Sequence, residues 1–208
     1  AQPASSWAAA RVLGQVDGLP FRKKHNRDCC GSTNKSGYQG GNTTAIHRLL
    51  DVYGDAGAPQ FDAGKAADLY VALVTHSQPK DIPRALSRLA VAAPAIQDNA
   101  YARLDVPKLY RTAAEAGNPA GMREYGKLMQ LSAKSTAELE ASTQWIAKAA
   151  EAGDIPAMLT YADALAFGLG VPASRDQALV WLQKASDAGN TDASAKVRSL
   201  MLQPAVSQ

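Results

Sequence analysis

Apolar and aromatic positions in the second half of the chain recur at a constant offset of 36 residues. Trp145 and Trp181 are separated by this offset, and the segment Ala149–Gly153 repeats the segment Ala113–Gly117 without a change. The same offset relates Tyr125 to Tyr161, Met122 to Met158 and Lys148 to Lys184. Self-similarity at a fixed period of about 20–50 residues indicates a chain built from stacked repeats.

Each repeat is predicted to form two antiparallel helices. In residues 117–152, Asn118 and Pro119 supply an N-cap and a first-turn proline, and apolar residues follow at helical spacing. Ser135 starts a second helix with capping-box spacing, and Gly153 marks the place where that helix ends. We call the first helix of a repeat helix A and the second helix B.

The repeat pattern divides the chain into three regions. Residues 153–188 follow the same plan of caps and stops, and weaker similarity extends the period back towards residue 45. Residues 1–44 are rich in glycine and basic residues, which predicts an extended or disordered arm. Residues 190–208 are expected to form a capping helix, with Val197, Leu200 and Met201 turned inward, and a short tail. The predicted repeats are therefore 45–80, 81–116, 117–152 and 153–188, within a repeat region 45–189.

The fourth repeat resembles the Sel1-like branch of the tetratricopeptide family. The residues that carry this resemblance are Tyr161, Gly168-Leu169-Gly170-Val171, Asp176, Ala178, Trp181, Lys184-Ala185 and Gly189. The third repeat matches less well, because Leu131-Ser132-Ala133-Lys134 stands where the glycine turn is expected. The resemblance implies an all-α, right-handed superhelix of α-hairpins that acts as an adaptor in bacterial assemblies. Its motif residues are carried over as packing residues only.

Composition agrees with an all-α fold and places the positive charge in the arm. Hydrophobic residues make up 46% of the 208 residues but aromatic residues only 6%, which suits close helix packing. The net charge is +3, yet residues 1–50 hold seven basic and two acidic residues. The basic cluster Arg22, Lys23, Lys24 and Arg27 is a candidate contact for an acidic protein face or an anionic surface, or else a solvated loop. Specific nucleic-acid binding is not expected.

Two features of the sequence bear on the cellular compartment of the protein. No apolar run reaches the roughly 20 residues of a membrane span. The chain starts at Ala1 without a methionine, which fits signal-peptide removal or a trimmed chain. We expect an exported or periplasmic protein, with a cytoplasmic one as the alternative.

Residues capable of catalysis or metal binding lack a recognisable arrangement. Cys29 and Cys30 are adjacent, and with His25 they complete no known metal spacing, so two thiols in a loop are the preferred interpretation. His25, His47 and His76 lie in no catalytic signature. We expect no cofactor and no enzymatic activity.

Stacked helical hairpins present a surface lined mainly by A helices, which favours a protein-binding adaptor. On the third repeat the packing residues leave Arg123, Lys127 and Gln130 on the rest of helix A, and Asp163 is the 36-residue equivalent of Lys127. We predict the partner-binding groove at these four residues, against the alternative of ordinary solvated surface. A structural subunit threaded into a large complex by its arm is the second hypothesis.

Overall fold

A computed structural model of the chain describes residues 42–202, except the side chain of Leu202. The predictions made for the basic cluster, the two cysteines and His25 lie outside these residues. Within the described range the secondary structure is helical and contains no strand. The helices are α1 (Thr43–Tyr53), α2 (Ala63–His76), a 3-10 helix (Pro79–Asp81), α3 (Ile82–Ala90), α4 (Pro94–Tyr101), α5 (Val106–Glu115), α6 (Pro119–Ser132), α7 (Thr136–Glu151), α8 (Ile155–Phe167), α9 (Arg175–Asp187) and α10 (Thr191–Leu202).

The helices form two compact units. The amino-terminal unit holds the described residues up to Ser77 and Arg84–Leu104, and the carboxyl-terminal unit holds Gln78–Pro83 and the described residues from Asp105 onward. In the amino-terminal unit α2 packs against both α1 and α4. Its buried side chains include Ile46, Leu86 and Ile96, which are at most 1% exposed. Burial of these aliphatic groups is the main stabilising contribution to this unit.

The start of α1 lies close to the predicted end of the arm. Asn42 caps α1, because its side-chain oxygen accepts a hydrogen bond from the Ala45 amide at 3.2 Å. Asn is among the residues most favoured at this position. The predicted boundary at residue 44 therefore falls inside the first turn of α1.

The second predicted repeat, 81–116, was expected to hold two helices and instead contains three. Helix α3 ends at Ala90, and α4 begins with Pro94 in its first turn after the extended residue Ala93. Proline cannot continue a helix from the preceding turn and disfavours the helical conformation in the residue before it. In chain order the additional helix α4 therefore follows α3, which has the sequence position of helix A, and precedes α5, which has that of helix B.

In the carboxyl-terminal unit the predicted helix starts are confirmed. The Asn118 side chain accepts a hydrogen bond from the Gly121 amide at 2.8 Å, and the Ser135 hydroxyl accepts one from the Glu138 amide at 3.2 Å. Gly153 has a φ of +90° directly after α7 and its C-cap residue. Each cap satisfies a backbone group that the helix end leaves without a partner.

The aromatic residues of the 36-residue period join the helices of each hairpin. Tyr125 and Trp145 meet edge to face with ring centroids 5.6 Å apart, and Tyr161 and Trp181 repeat this contact at 5.5 Å. Between the hairpins, Ile146 of α7 belongs to a buried cluster against which both Tyr161 and Trp181 pack. Trp145 and Trp181 therefore each connect helix A to helix B of their own hairpin. Trp181 also connects the third repeat to the fourth.

Helix α10 occupies the position of helix A in a further repeat. Its start is capped by Asn190, whose side chain accepts a hydrogen bond from the Ala193 amide at 2.8 Å. Val197 is buried as expected, but Met201, expected to face inward, is 64% exposed. The 36-residue equivalent of Met201 is Leu165, which is buried together with residues of α9. Met201 is exposed because no helix B follows α10 among the described residues.

Arg198 differs most from the preceding A helices. Its equivalents are Ala162, which is 1% exposed, and Gly126, where a Cβ atom would lie 2.7 Å from Ile146 Cγ1. These small residues allow helix B to approach helix A closely. Arg198 is exposed, and it places a long charged side chain on the corresponding side of α10.

Candidate protein-binding surface

The four residues predicted for the groove lie on two equivalent helices. Arg123, Lys127 and Gln130 belong to α6, and Asp163 belongs to α8. Lys127 and Asp163 occupy the same position in successive A helices, so the structure places them on corresponding faces of neighbouring hairpins. Every one of the four nevertheless has a partner within the chain.

The charged group of Arg123 is bound to carboxylates within the chain. Its guanidinium donates hydrogen bonds to both carboxylate oxygens of Asp154, at 2.5 and 2.6 Å, and to Glu124 at 2.9 Å. The side chain of Arg123 is only 17% exposed and that of Asp154 only 11%. Burial lowers the pKa of Arg123, but the hydrogen bonds that it donates to Asp154 and Glu124 outweigh this effect, so the pKa is raised. Because Asp154 also caps α8 through the Ala157 amide, this ion pair connects the third repeat to the fourth.

Lys127 and Asp163 are more accessible than Arg123. Lys127 contacts Glu124 at 3.3 Å with 48% of its side chain exposed. Asp163 contacts Lys196 of α10 at 2.6 Å with 44% of its side chain exposed. Exposed pairs of this kind contribute little to stability and exchange readily with water or with another charged group. Lys127 and Asp163 therefore remain capable of meeting a partner.

Two exposed apolar residues complete this surface, and the sequence analysis did not single them out. Leu131 is 86% exposed and Phe167 is 75% exposed, and each is the 36-residue equivalent of the other. Each also follows a charged groove residue by four positions, so Lys127 and Leu131 share one side of α6, as Asp163 and Phe167 share one side of α8. We call these four residues the A-helix face. Their common offset was visible in the sequence, but apolar residues at helical spacing are ordinarily assigned to the core.

The loop after α8 is held in one conformation beside Phe167. The Thr143 hydroxyl of α7 donates a hydrogen bond to the Leu169 carbonyl at 2.9 Å, and the Leu169 amide donates one to the Ala164 carbonyl at 2.9 Å. Gln130, the fourth predicted residue, contacts the Thr143 hydroxyl at 3.5 Å. Leu169 itself remains 43% exposed. The fold thus presents Leu169 and Phe167 together without leaving the loop unsupported.

Among residues 42–202, no three His, Cys, Asp or Glu side chains are grouped so that they would hold a metal ion. His76 is the last residue of α2. In the same range, no helix is both long and apolar enough to cross a membrane. The arm residues proposed for binding, Arg22, Lys23, Lys24 and Arg27, precede the described part of the chain.

The chain matches no family model and no curated protein. Among solved structures it is similar to a Sel1 repeat protein from Oxalobacter formigenes, with 21% identity and a TM-score of 0.55 over 76% of this chain and 62% of that chain. It is also similar to c5321, a protective antigen of uropathogenic Escherichia coli strains that displays an SLR fold. That match has 21% identity and a TM-score of 0.58 over 78% of this chain and 34% of that chain.

These similarities establish the fold. The chain has the helical-hairpin repeat fold of Sel1-like repeat proteins, which confirms the fold class predicted from the 36-residue period. It spans less than two thirds of the length of both solved structures.

Proposed function

We propose that the protein is a non-catalytic scaffold that binds another protein through the A-helix face. The observation that carries this proposal is the exposure of Leu131 and Phe167, at 86% and 75%, on equivalent positions of successive A helices. Single exposed apolar residues are ordinary on protein surfaces, but large apolar residues repeated in register favour an interaction surface.

The chemistry of the A-helix face indicates what kind of partner it fits. Two apolar side chains are flanked by one cation, Lys127, and one anion, Asp163, each about half exposed. An amphipathic partner segment would bury the apolar groups and place opposite charges against Lys127 and Asp163. The Lys127 and Asp163 contacts with Glu124 and Lys196 are exposed, so a partner would replace them at little cost in free energy.

The decisive experiment is site-specific photo-crosslinking in cells that express the protein. Benzoylphenylalanine incorporated at position 167 is expected to capture a partner, which mass spectrometry then identifies. Incorporation at position 180 is the matched control, because Val180 is also exposed, at 54%, but lies on helix B. Loss of the cross-link when Leu131 is replaced by Ser would assign the contact to the A-helix face.

Affinity of the identified partner provides the quantitative test. The double variant Leu131→Ser and Phe167→Ser is expected to weaken binding by at least tenfold, because both apolar anchors are lost. Val180→Ser should leave the affinity unchanged. Equal binding by the parent and the double variant would contradict the proposal, provided that their melting temperatures agree.

We further propose that this scaffold acts in a bacterial envelope or in another exported assembly. Support comes from the likeness to two bacterial repeat proteins, one of which is a protective antigen. Fractionation of the source cells with antibodies to the protein tests this proposal. Recovery of the protein only with the cytosol would contradict it.

A further inference from the structure

The amino-terminal unit contains an open cleft of about 500 Å³ that lies outside the A-helix face. Its walls come from the end of α1 and the turn that follows, from Tyr70 of α2, from Arg88 of α3 and from the turn 91–93. This volume falls within the range of about 300–1,000 Å³ that is typical of ligand sites. The cleft combines apolar walls with four polar side chains, namely Asp51, Asp55, Tyr70 and Arg88.

Tyr70 supplies a hydroxyl group that has no partner within the described residues. The residue is 8% exposed, and no hydrogen bond to its hydroxyl is formed there. None of the buried side-chain oxygens in residues 42–202 lacks a hydrogen-bond partner, so the Tyr70 hydroxyl must retain access to solvent. Tyr70 is also one of the residues that line the cleft. A buried phenol with a free hydroxyl is a group prepared to hydrogen-bond a ligand.

Arg88 and Asp51 carry opposite charges and shift the pKa of the Tyr70 hydroxyl in opposite directions. Burial raises the pKa of Tyr70, Arg88 lowers it and Asp51 raises it, so both ions influence the phenol. Neither ion forms an ion pair within 4.0 Å in the described part of the chain. Asp55 adds a second carboxylate on the turn after α1. The lining of the cleft therefore includes one hydroxyl, an unpaired cation and two carboxylates.

Backbone and side-chain hydrogen bonds fix both rims of the cleft. On one rim the Gln97 amide donates to the carbonyls of Ala90 and Ala92, at 3.0 and 2.7 Å. On the other, the Gly54 amide donates to the Leu50 carbonyl at 2.8 Å, and Asp55 accepts from the Gly57 amide at 2.9 Å. Rims held in this way reduce the entropy lost when a ligand binds.

The mouth of the cleft favours a peptide over a small molecule. Val91 lines the cleft and is 86% exposed, so its apolar surface is available to a ligand that extends beyond the walls. A chain segment that continues past the mouth would cover this surface and gain the corresponding burial energy. By charge complementarity, Arg88 would bind a carboxylate of the ligand and the two aspartates would bind a cationic group.

We propose that this cleft is a second binding site, for an extended peptide segment that carries one carboxylate and one basic side chain. Arg88 and the Tyr70 hydroxyl hold the carboxylate, and Asp51 with Asp55 hold the basic group. Leu50 and Val91 pack against the apolar residues between them. The site is independent of the A-helix face, so either proposal can fail without the other.

The probe for this site is a capped peptide, acetyl-Lys-Ala-Val-Ala-Glu-amide, titrated into the full chain by calorimetry. Two companion peptides replace Glu by Gln or Lys by Gln, and a third, acetyl-Lys-Ala-Val-Ala, ends in a free α-carboxylate. We expect binding to be weakened at least fivefold by either Gln replacement, since each removes one charge-assisted contact. Comparison of the parent peptide with acetyl-Lys-Ala-Val-Ala shows whether the site prefers a side-chain carboxylate or a terminal one.

Variants of the chain assign the contacts. Arg88→Gln, Asp51→Asn and Tyr70→Phe are each expected to weaken binding of the parent peptide, the first by at least tenfold. Arg84→Gln is the matched control, because Arg84 is an exposed arginine on the same helix that does not line the cleft. Arg88→Glu should reject the parent peptide and accept a peptide with Lys in place of Glu, which a merely unfolded variant would not do.

Three results would overturn the proposal. The first is the absence of binding at millimolar concentration by both peptides that carry a lysine and a carboxylate, and the second is equal binding by the Arg88 and Arg84 variants. The third is displacement of the peptide by free lysine or glutamate at equal concentration, which would make the ligand a small zwitterion. Failure of photo-crosslinking from position 167 would leave this site untouched.

Discussion

At the scale of single residues, Arg123 has a partner within the fold that its sequence position does not indicate. Its charge and its place on helix A predicted a role in partner binding, but the structure pairs it with Asp154, 31 positions further along the chain. The pair is more than four-fifths buried on both sides. A largely buried arginine contributes through its partner and through the packing of its apolar stem.

Arg123→Met is therefore expected to lower the free energy of unfolding by about 3 kcal/mol, because Asp154 would remain largely buried without its cation. Arg111→Met is the control, since Arg111 and Glu115 form a pair whose side chains are 62% and 55% exposed. That change should alter the free energy by no more than about 0.5 kcal/mol. Chemical denaturation of both variants measures the difference, and equal effects would disprove a structural role for Arg123.

A second residue-level prediction concerns His47. Burial lowers the pKa of His47, as do Arg88 and Arg84, whereas Asp51 raises it, and the net shift is downward. Between the lowered pKa and the ordinary value of about 6.5, the unfolded chain binds more protons than the folded one. Stability contributed by this group is therefore present above about pH 6.5 and is lost as the pH falls below it.

His47→Gln removes this proton linkage. The difference in melting temperature between pH 7.5 and pH 5.5 is expected to be smaller in the variant than in the parent, because only the parent loses the neutral imidazole. His76→Gln is the matched control, since His76 is an exposed residue at the end of α2. An equal or larger pH effect in His47→Gln would contradict the predicted direction.

At the scale of elements, the third and fourth repeats were predictable because local signals coincide there. Ser135 and Gly153 mark the two ends of α7, and the offset between Trp145 and Trp181 fixes the phase of the packing. The second repeat lacks these aromatic markers. The sequence therefore did not show whether the chain before and after Pro94 forms one helix or two. Caps and stops are local in sequence, whereas the packing of a short additional helix is not.

The candidate site was predictable only in part, for the same reason. The charged residues of helix A indicate where the surface lies. They do not indicate which of these residues form ion pairs within the chain. The partner of Arg123 is 31 residues away, and that of Asp163 is 33 residues away. Exposure of Leu131 depends on what covers the end of α6, which no local pattern contains.

The glycine turn of the fourth repeat gives an element-level prediction. Gly170 has a φ of +69°, and a Cβ atom there would meet the Leu139 carbonyl of α7 and lie 2.7 Å from the Thr143 hydroxyl. Gly170→Ala thus combines backbone strain with displacement of the loop from α7. Gly153→Ala is the control, because Gly153 has a φ of +90° but open space around its Cα.

We expect Gly153→Ala to cost about 1–2 kcal/mol, the usual penalty of a left-handed residue with a side chain. Gly170→Ala should cost clearly more and should also raise amide hydrogen exchange at Leu169, whose amide is bonded to Ala164 in the parent. Equal losses in the two variants would show that contact with α7 does not position this loop.

At the scale of the whole molecule, the arm remains a proposed partner contact. Removing residues 1–41 spares the Asn42 cap of α1, so the described helices should still form. If the basic cluster binds the partner, affinity should fall and the remaining interaction should depend less on salt. Melting temperature and partner affinity are measured on the same truncated protein. A lower melting temperature with unchanged affinity would show that the arm covers an apolar face instead.

The arginine on α10 also bears on the colloidal behaviour of the protein. Helix α10 offers the side on which every earlier helix A of the carboxyl-terminal unit receives a neighbour, and Met201 on it is already 64% exposed. An open helical face of this kind invites end-to-end stacking of molecules into filaments. Arg198 occupies the point where Gly126 and Ala162 permit close approach, and its charge and bulk oppose such stacking. Where this face of α10 is open to a second molecule, Arg198 therefore disfavours end-to-end stacking.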